Sequence, residues 1–227
     1  MPIYELTDSL HRAKGISMDI INVSSGYMSA NTYILKDTAT GDAALVDPGG
    51  DSEYIISQIN ANAANVKYIF LTHGHFDHIL ALDRIREYTG ARVYIHALDN
   101  ACLNNPTFSL MTHIGRSDTF GDADVLLDGG EEIEVGESRV RVVHTPGHTV
   151  GSVCFVTDSG IITGDTLFYE SIGRTDFPGG SFEAIEDSIK KLYSIEGDAA
   201  VYPGHGRSTS LEHERRFNPY VSCRGHI

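Results

Sequence analysis

The segment Thr72-His73-Gly74-His75-Phe76-Asp77-His78 constrains this chain more than any other. It reads H-x-H-x-D-H and packs four side chains able to bind a metal into six residues. The apolar run 66–71 before it is rich in β-branched and aromatic residues and predicts a buried strand. Ile79, Leu82, Ile85 and Tyr88 after it recur at near-helical spacing and predict a helix reaching Tyr88. The donors therefore fall on a strand-to-helix turn. His73 and His75, two apart in extended chain, can point to the same side, and Asp77 suits a helix N-cap. Imidazole and carboxylate donors suit Zn, Fe or Mn. Crowded imidazoles repel on protonation unless a cation or solvent lies between them. A merely polar, His-rich loop is the weaker reading of this spacing.

Composition matters where it excludes functions. The net charge of −14 opposes binding to phosphate backbones, so a nucleic-acid partner is not expected. No apolar run approaches the length of a membrane span, and residues 1–14 lack a basic-then-apolar signal pattern. Cys102, Cys154 and Cys223 are odd in number and far apart, which gives no disulfide framework and makes a reducing cytoplasm the expectation. The 227 residues suffice for one large domain or two small ones.

Strands are expected at 16–23 and 31–36, split by Ser24-Ser25-Gly26, and again at 43–46, ending at Asp47-Pro48-Gly49-Gly50. A helix starts at Asp51 or Ser52 with Ile55, Ile56 and Ile59 inward. After the ligand turn and its helix, 92–96 returns as a strand. The pattern weakens over 97–128, which reads equally as a lid or pocket wall or as a surface insertion. Strands resume at 131–135, 140–143, 153–157 and 161–163. Ser181 caps a helix with Phe182, Ile185, Ile189 and Leu192 on one face, and 199–202 is a last strand before a charged tail from Leu211. Strands and helices mix in both halves, which favours sheets covered by helices.

Three later turns carry further donors: Thr145-Pro146-Gly147-His148-Thr149, Thr163-Gly164-Asp165-Thr166 and Tyr202-Pro203-Gly204-His205-Gly206. Each follows a strand, beside Gly or Pro that lets backbone approach a site closely. Singly they are weak signals; with the H-x-H-x-D-H turn they are specific.

The combination resembles the metallo-β-lactamase superfamily over nearly the whole chain. The resemblance implies an α+β fold, an αββα sandwich of two mixed β-sheets flanked by helices, as one domain over residues 1–227. It also implies that His73, His75 and His148 hold one metal, that Asp77, His78 and His205 hold a second, and that Asp165 bridges both. Asp47 matches a family position and reads either as an acceptor orienting a ligand imidazole or as a turn-forming Asp before Pro. The stretches 163–168 and 171–180 are similar to the glyoxalase II (hydroxyacylglutathione hydrolase) branch, and more narrowly to its short, single-domain bacterial relatives. About twenty residues follow His205, and Arg207 stands where classical members have Tyr. Arg174 matches a basic glutathione-contacting position, while Asp176 falls where another contact is Tyr.

The chemistry implied is hydrolysis of S-lactoylglutathione or a similar acyl thiol, a small-molecule thioester, by a monomer or small homo-oligomer. Two divalent ions, Zn2+ foremost with Fe or Mn as alternatives, roughly 3.5–4 Å apart share one water and lower its pKa. Asp77 and Asp165 are then the catalytic carboxylates, with Asp77 orienting the hydroxide. Arg174 meets a substrate carboxylate or is simply solvent-exposed, and Tyr169 lines the pocket or packs. An iron-dependent persulfide dioxygenase-like oxidoreductase, using His73, His148 and Asp165, and a lactonase of the same fold remain alternatives. His11, His96, His113, His144, His213 and His226 match no ligand motif.

Overall fold

The computed structural model describes residues 17–24 and 30–221. Ile16 of the first expected strand, Ser25 and Gly26 of the first expected turn, residues 1–14, Cys223, His11 and His226 lie outside the described residues.

Two six-stranded sheets face each other. The first runs β1 (Met18–Asn22), β2 (Tyr33–Asp37), β3 (Asp42–Val46), β4 (Asn65–Phe70), β5 (Arg92–His96), β6 (Val125–Leu127). The second runs β14 (Thr209–Ser210), β13 (Ala200–Pro203), β10 (Ile161–Gly164), β9 (Val153–Val156), β8 (Ser138–His144), β7 (Glu132–Val135). A small hairpin, β11 (Leu167–Phe168) with β12 (Ser171–Ile172), stands apart. Both large sheets mix parallel and antiparallel pairs: β3, β4, β5 and β6 are parallel neighbours, as are β10 and β13. Helices α1 (Ser52–Ala61), α2 (Phe76–Ile79), α3 (Leu82–Thr89) and α4 (Asn100–Asn104) belong to the first half, and α5 (Phe182–Tyr193) and α6 (Leu211–Phe217) to the second.

Residue alternation builds this sandwich. On β2, Tyr33 and Leu35 enter the space between the sheets while Ile34 faces the helices. On β9, Val153 and Phe155 face the first sheet while Cys154 joins Ile185, Ile189 and Leu192 of α5. Phe70 and Phe155 stack across the gap with ring centroids 5.0 Å apart. The layers are therefore helix, sheet, sheet, helix, as expected. Among the described residues no helix is long and apolar enough to cross a membrane, and Cys102 and Cys154 are free thiols.

Several local expectations need correction. The helix after the ligand turn is broken into α2 and α3, because the Ala81 N–H turns aside to Pro48 O (2.8 Å) and Ala81 adopts a non-helical capping conformation. His75, not Asp77, occupies the N-cap position of α2, without a side-chain capping bond, and Asp77 lies in the first turn. Tyr88 and Phe182, counted with the apolar faces, are exposed. The weakly patterned 97–128 contains two 3-10 turns, α4 and the edge strand β6, and Ser109 O accepts from Phe76 N–H (2.8 Å), tying this segment to the ligand turn. The charged tail holds α6, capped by Ser210 and packed through Glu214, whose buried carboxylate accepts from Thr209 Oγ1, Asn218 Nδ2 and the Glu170 N–H.

Candidate metal centre

Strand direction brings the donors together. β3 and β4 are parallel, and β8 and β10 flank β9 antiparallel to both, with β13 parallel to β10. The five strands' C-terminal ends deliver Asp47, the ligand turn, His148, Asp165 and His205. His73, His75 and His148 form one group of donor atoms, and Asp77, His78 and His205 another; Asp165 groups with His73 and His78.

Within the first group, the three ring centroids lie 4.7–4.8 Å apart in nearly perpendicular pairs. His75 Nδ1 stands 2.9 Å from His148 Nε2. Across the second, His205 Nε2 lies 3.1 Å from Asp77 Oδ2. Asp165 reaches both: Oδ1 is 3.4 Å from His78 Nε2, and Oδ2 is 3.6 Å from both His148 Nε2 and His205 Nε2. The cluster is deepest at His73 and His78 and opens beside His205, whose side chain is 38% exposed.

Hydrogen bonds behind the rings decide which nitrogens face inward. The Thr72 hydroxyl donates to Asp47 Oδ2 (2.6 Å), so it accepts from His73 Nδ1 (3.1 Å). His78 Nδ1 donates to Asp47 Oδ2 (2.8 Å). His148 Nδ1 donates to the Arg174 carbonyl (2.8 Å). Each bond occupies Nδ1 and turns Nε2 to the centre. Asp47 accepts from both the Thr72 hydroxyl and the His78 ring; its backbone takes the left-handed φ of 50°, which Asp tolerates better than most residues.

The charge balance fits cations. Burial, then the neighbouring imidazoles, pushes His73 well below the usual histidine range and His75 down to about 3, so both rings keep lone pairs to donate at pH 7. Burial alone would lower His78, but the Asp165, Asp47 and Asp77 carboxylates outweigh it and raise the ring. Burial would raise the Asp165 and Asp77 carboxyls, yet the histidines around them hold both below the usual carboxylate range. His73 Nε2, His78 Nε2 and Asp165 Oδ1 are buried without a hydrogen-bond partner. Orphaned buried polar atoms are rare and require a partner; three converging here match the ligand set of a divalent pair.

Two residues to which the sequence assigns no role also shape the site: Phe177, within the stretch 171–180, and Asp99. The Phe177 ring lies 5.6 Å from His75, 6.4 Å from His148 and 6.2 Å from His113, so residues from both halves form one apolar wall. Asp99, just past the end of β5, is buried against the ligand loops. Its place beyond a strand end was the only available signal. Arg174 forks onto Asp176 through two 2.7 Å bonds and lies over Phe177. Tyr169 stacks on His213 beneath the Arg207 guanidinium. His144 stacks on His96 and bonds Val150 O.

The metallo-beta-lactamase superfamily model matches residues 26–205. This chain belongs to the metallo-β-lactamase superfamily. An uncharacterized protein of Mycobacterium leprae is 37% identical over 215 residues, covering 90% of this chain and 99% of that one. A hydroxyacylglutathione hydrolase, GloC, of Haemophilus influenzae is 32% identical over 188 residues, covering 81% and 89%. Among solved structures, the B3 metallo-β-lactamase BLEG-1 superposes with a TM-score of 0.85 at 33% identity, covering 89% of this chain and 99% of that one. TTHA1623, in a di-iron-bound form, superposes at 0.78 with 31% identity, covering 88% and 100%.

Proposed function

We propose that this member of the superfamily is a two-metal hydrolase of the glyoxalase II-like branch, cleaving S-lactoylglutathione or a similar acyl thioester. One observation carries the reading: Asp165 stands between two donor groups, within 3.6 Å of His78, His148 and His205. In this reading His73, His75 and His148 hold one ion, Asp77, His78 and His205 hold the other, and Asp165 is shared. Imidazole with carboxylate suits Zn2+ foremost, and Fe or Mn as well. The di-iron form of TTHA1623 and the hydroxyacylglutathione hydrolase name of the H. influenzae relative support the pair and the substrate class.

When bound, such a pair supplies a readily ionised water and a Lewis acid toward an acyl oxygen. The chain's own part is positioning. Asp77, ionised and beside the open His205 edge, accepts a hydrogen bond from the attacking water and aims it. Phe177 shields the His75 and His148 side from solvent. Arg174 approaches a substrate carboxylate by exchanging it for Asp176, a swap of exposed partners that costs little. Tyr169 with Arg207 offers a second polar rim beside the Phe168–His205 contact.

Purified protein is expected to carry about two divalent ions per chain, to hydrolyse S-lactoylglutathione or another acyl thiol in a thioester screen, and to lose that activity on chelation. Full activity after exhaustive demetallation contradicts the proposal. One iron per chain with oxygen uptake on glutathione persulfide assigns the oxidoreductase chemistry instead.

A further inference from the structure

Asp99 ends a 3-10 turn after β5 and is 1% exposed. Its carboxylate collects three donors from two distant loops. Gly151 N–H donates to Oδ1 (2.8 Å), and the Thr149 hydroxyl (2.7 Å) and Gly74 N–H (3.2 Å) donate to Oδ2. Gly74 lies between His73 and His75; Thr149 follows His148. The approach needs both glycines. A Cβ at Gly151 would lie 2.6 Å from Asp99 Oδ1, and one at Gly74 would lie 2.3 Å from Cys102 Cβ and 3.2 Å from Asp99 O. Ser152 completes the arrangement: Thr149 spends its hydroxyl proton on Asp99, so the Ser152 hydroxyl donates to Thr149 Oγ1 (2.7 Å), while Ser152 Oγ accepts from Thr149 N–H (3.1 Å).

We infer that Asp99 is a positioning residue for the three-histidine cation site, which it sets by tying the loop of His73 and His75 to the loop of His148. The inference rests on the two-cation reading above. Asp99 acts on backbone and a hydroxyl, at one remove from the ligand rings. Its counterpart is Asp47, which bonds Thr72 and His78. Two buried carboxylates thus divide the work: Asp47 orients His78 directly and His73 through Thr72, and Asp99 fixes the separation at which His75 Nδ1 and His148 Nε2 meet. An amide at position 99 keeps the volume but turns one acceptor into a donor facing a donor.

The test is titration of the full metal-stripped chain with Zn2+ against a chromophoric chelator, with the three-histidine constant identified by its absence in His148→Ala. In Asp99→Asn that constant is expected to weaken about tenfold or more while the other holds, and the visible spectrum of the Co2+-loaded protein changes at that site. Thr149→Val, which removes one donor, gives a smaller loss in the same constant. Asp37→Ala is the structural control. That buried carboxylate accepts from Ser138 and Thr40 at the C-terminal end of β2, the sandwich edge opposite the ligands, so its loss lowers the melting temperature and spares both constants. Unchanged constants in Asp99→Asn and Thr149→Val overturn the inference, as does equal weakening of both sites. If Asp99→Asn does not fold, Thr149→Val decides. A single Zn2+ constant in the wild type overturns the two-cation reading, and the shift of that constant in the variants still decides for or against Asp99.

Discussion

Asp165→Ala is expected to lower thioester hydrolysis by about 1,000-fold and to reduce the metal content below two ions per chain. The carboxylate reaches residues of both donor sets, lying 3.4–3.6 Å from His78, His148 and His205. A metal pair contributes several kcal/mol to stabilising developing charge, and each ~1.4 kcal/mol is a factor of ten in rate. Losing the shared ligand therefore removes about three decades. Asp165→Asn separates charge from shape. It keeps an oxygen and the packed volume, so its loss is expected to be smaller than that of alanine, with the fold intact by circular dichroism. Steady-state rates alongside metal analysis give both readings. A fall of less than about tenfold in the alanine variant, about 1.4 kcal/mol, is incompatible with a shared ligand.

The donor residues that the structure brings together were legible because each left a local mark. Four donors crowd into 73–78, and His148, Asp165 and His205 each sit in a Gly- or Pro-flanked turn after an apolar strand. The layer order came from the resemblance and from strands and helices mixing in both halves; that Tyr33, Leu35 and Phe155 face one way and Ile34 and Cys154 the other was not readable, because both runs are apolar throughout. What stayed hidden depends on partners far along the chain. Asp99 meets Gly74, Thr149 and Gly151, which lie 25 to 52 residues away, and two of those donors are backbone N–H groups, which every residue but proline carries. The break between α2 and α3 arises from a bond to Pro48 that periodicity cannot report. The helix α6 hid in a run of charges because its key residue, Glu214, is a buried acid satisfied by the helix's own flanks, Thr209 and Asn218, and by the distant Glu170 N–H. Phe182 and Tyr88 fit the apolar spacing but stand in the first and last turns of their helices, where they are exposed.

Gly49→Ala is expected to lose the ion held by Asp77, His78 and His205 and to keep the three-histidine ion. In the sequence Gly49 reads as part of a turn; in the structure its backbone φ lies outside the left-handed region, so conformation alone admits alanine. Space does not. A Cβ there would stand 1.6 Å from Asp77 O, 2.6 Å from Asp77 C and 3.1 Å from His78 Cα. These are backbone atoms, and they are held: Asp77 O accepts from Ala30 N–H (3.3 Å), and Pro48 O accepts from Ala81 N–H at the start of α3 (2.8 Å). Relief requires α2 to move, carrying Asp77 and His78, or the β3 loop to move, carrying Asp47 away from His78. Both routes act first on Asp77 or His78; the second also loosens Thr72 behind His73, but His148 stays bonded to Arg174 and His75 stays beside it, so the three-histidine set is the less disturbed. Overpacking of this kind costs about 1–3 kcal/mol, a fall of roughly 3–10 °C in melting temperature for a chain of this size. Gly90→Ala supplies the comparison. Gly90 has a φ of +67° with nothing within 4 Å of a built Cβ, so alanine there costs about 1 kcal/mol through backbone strain and leaves both ions in place. Zinc stoichiometry with a melting curve on each variant separates the cases. Two tightly held ions in Gly49→Ala would show that the contact between the β3 loop and the ligand helix does not set the second site.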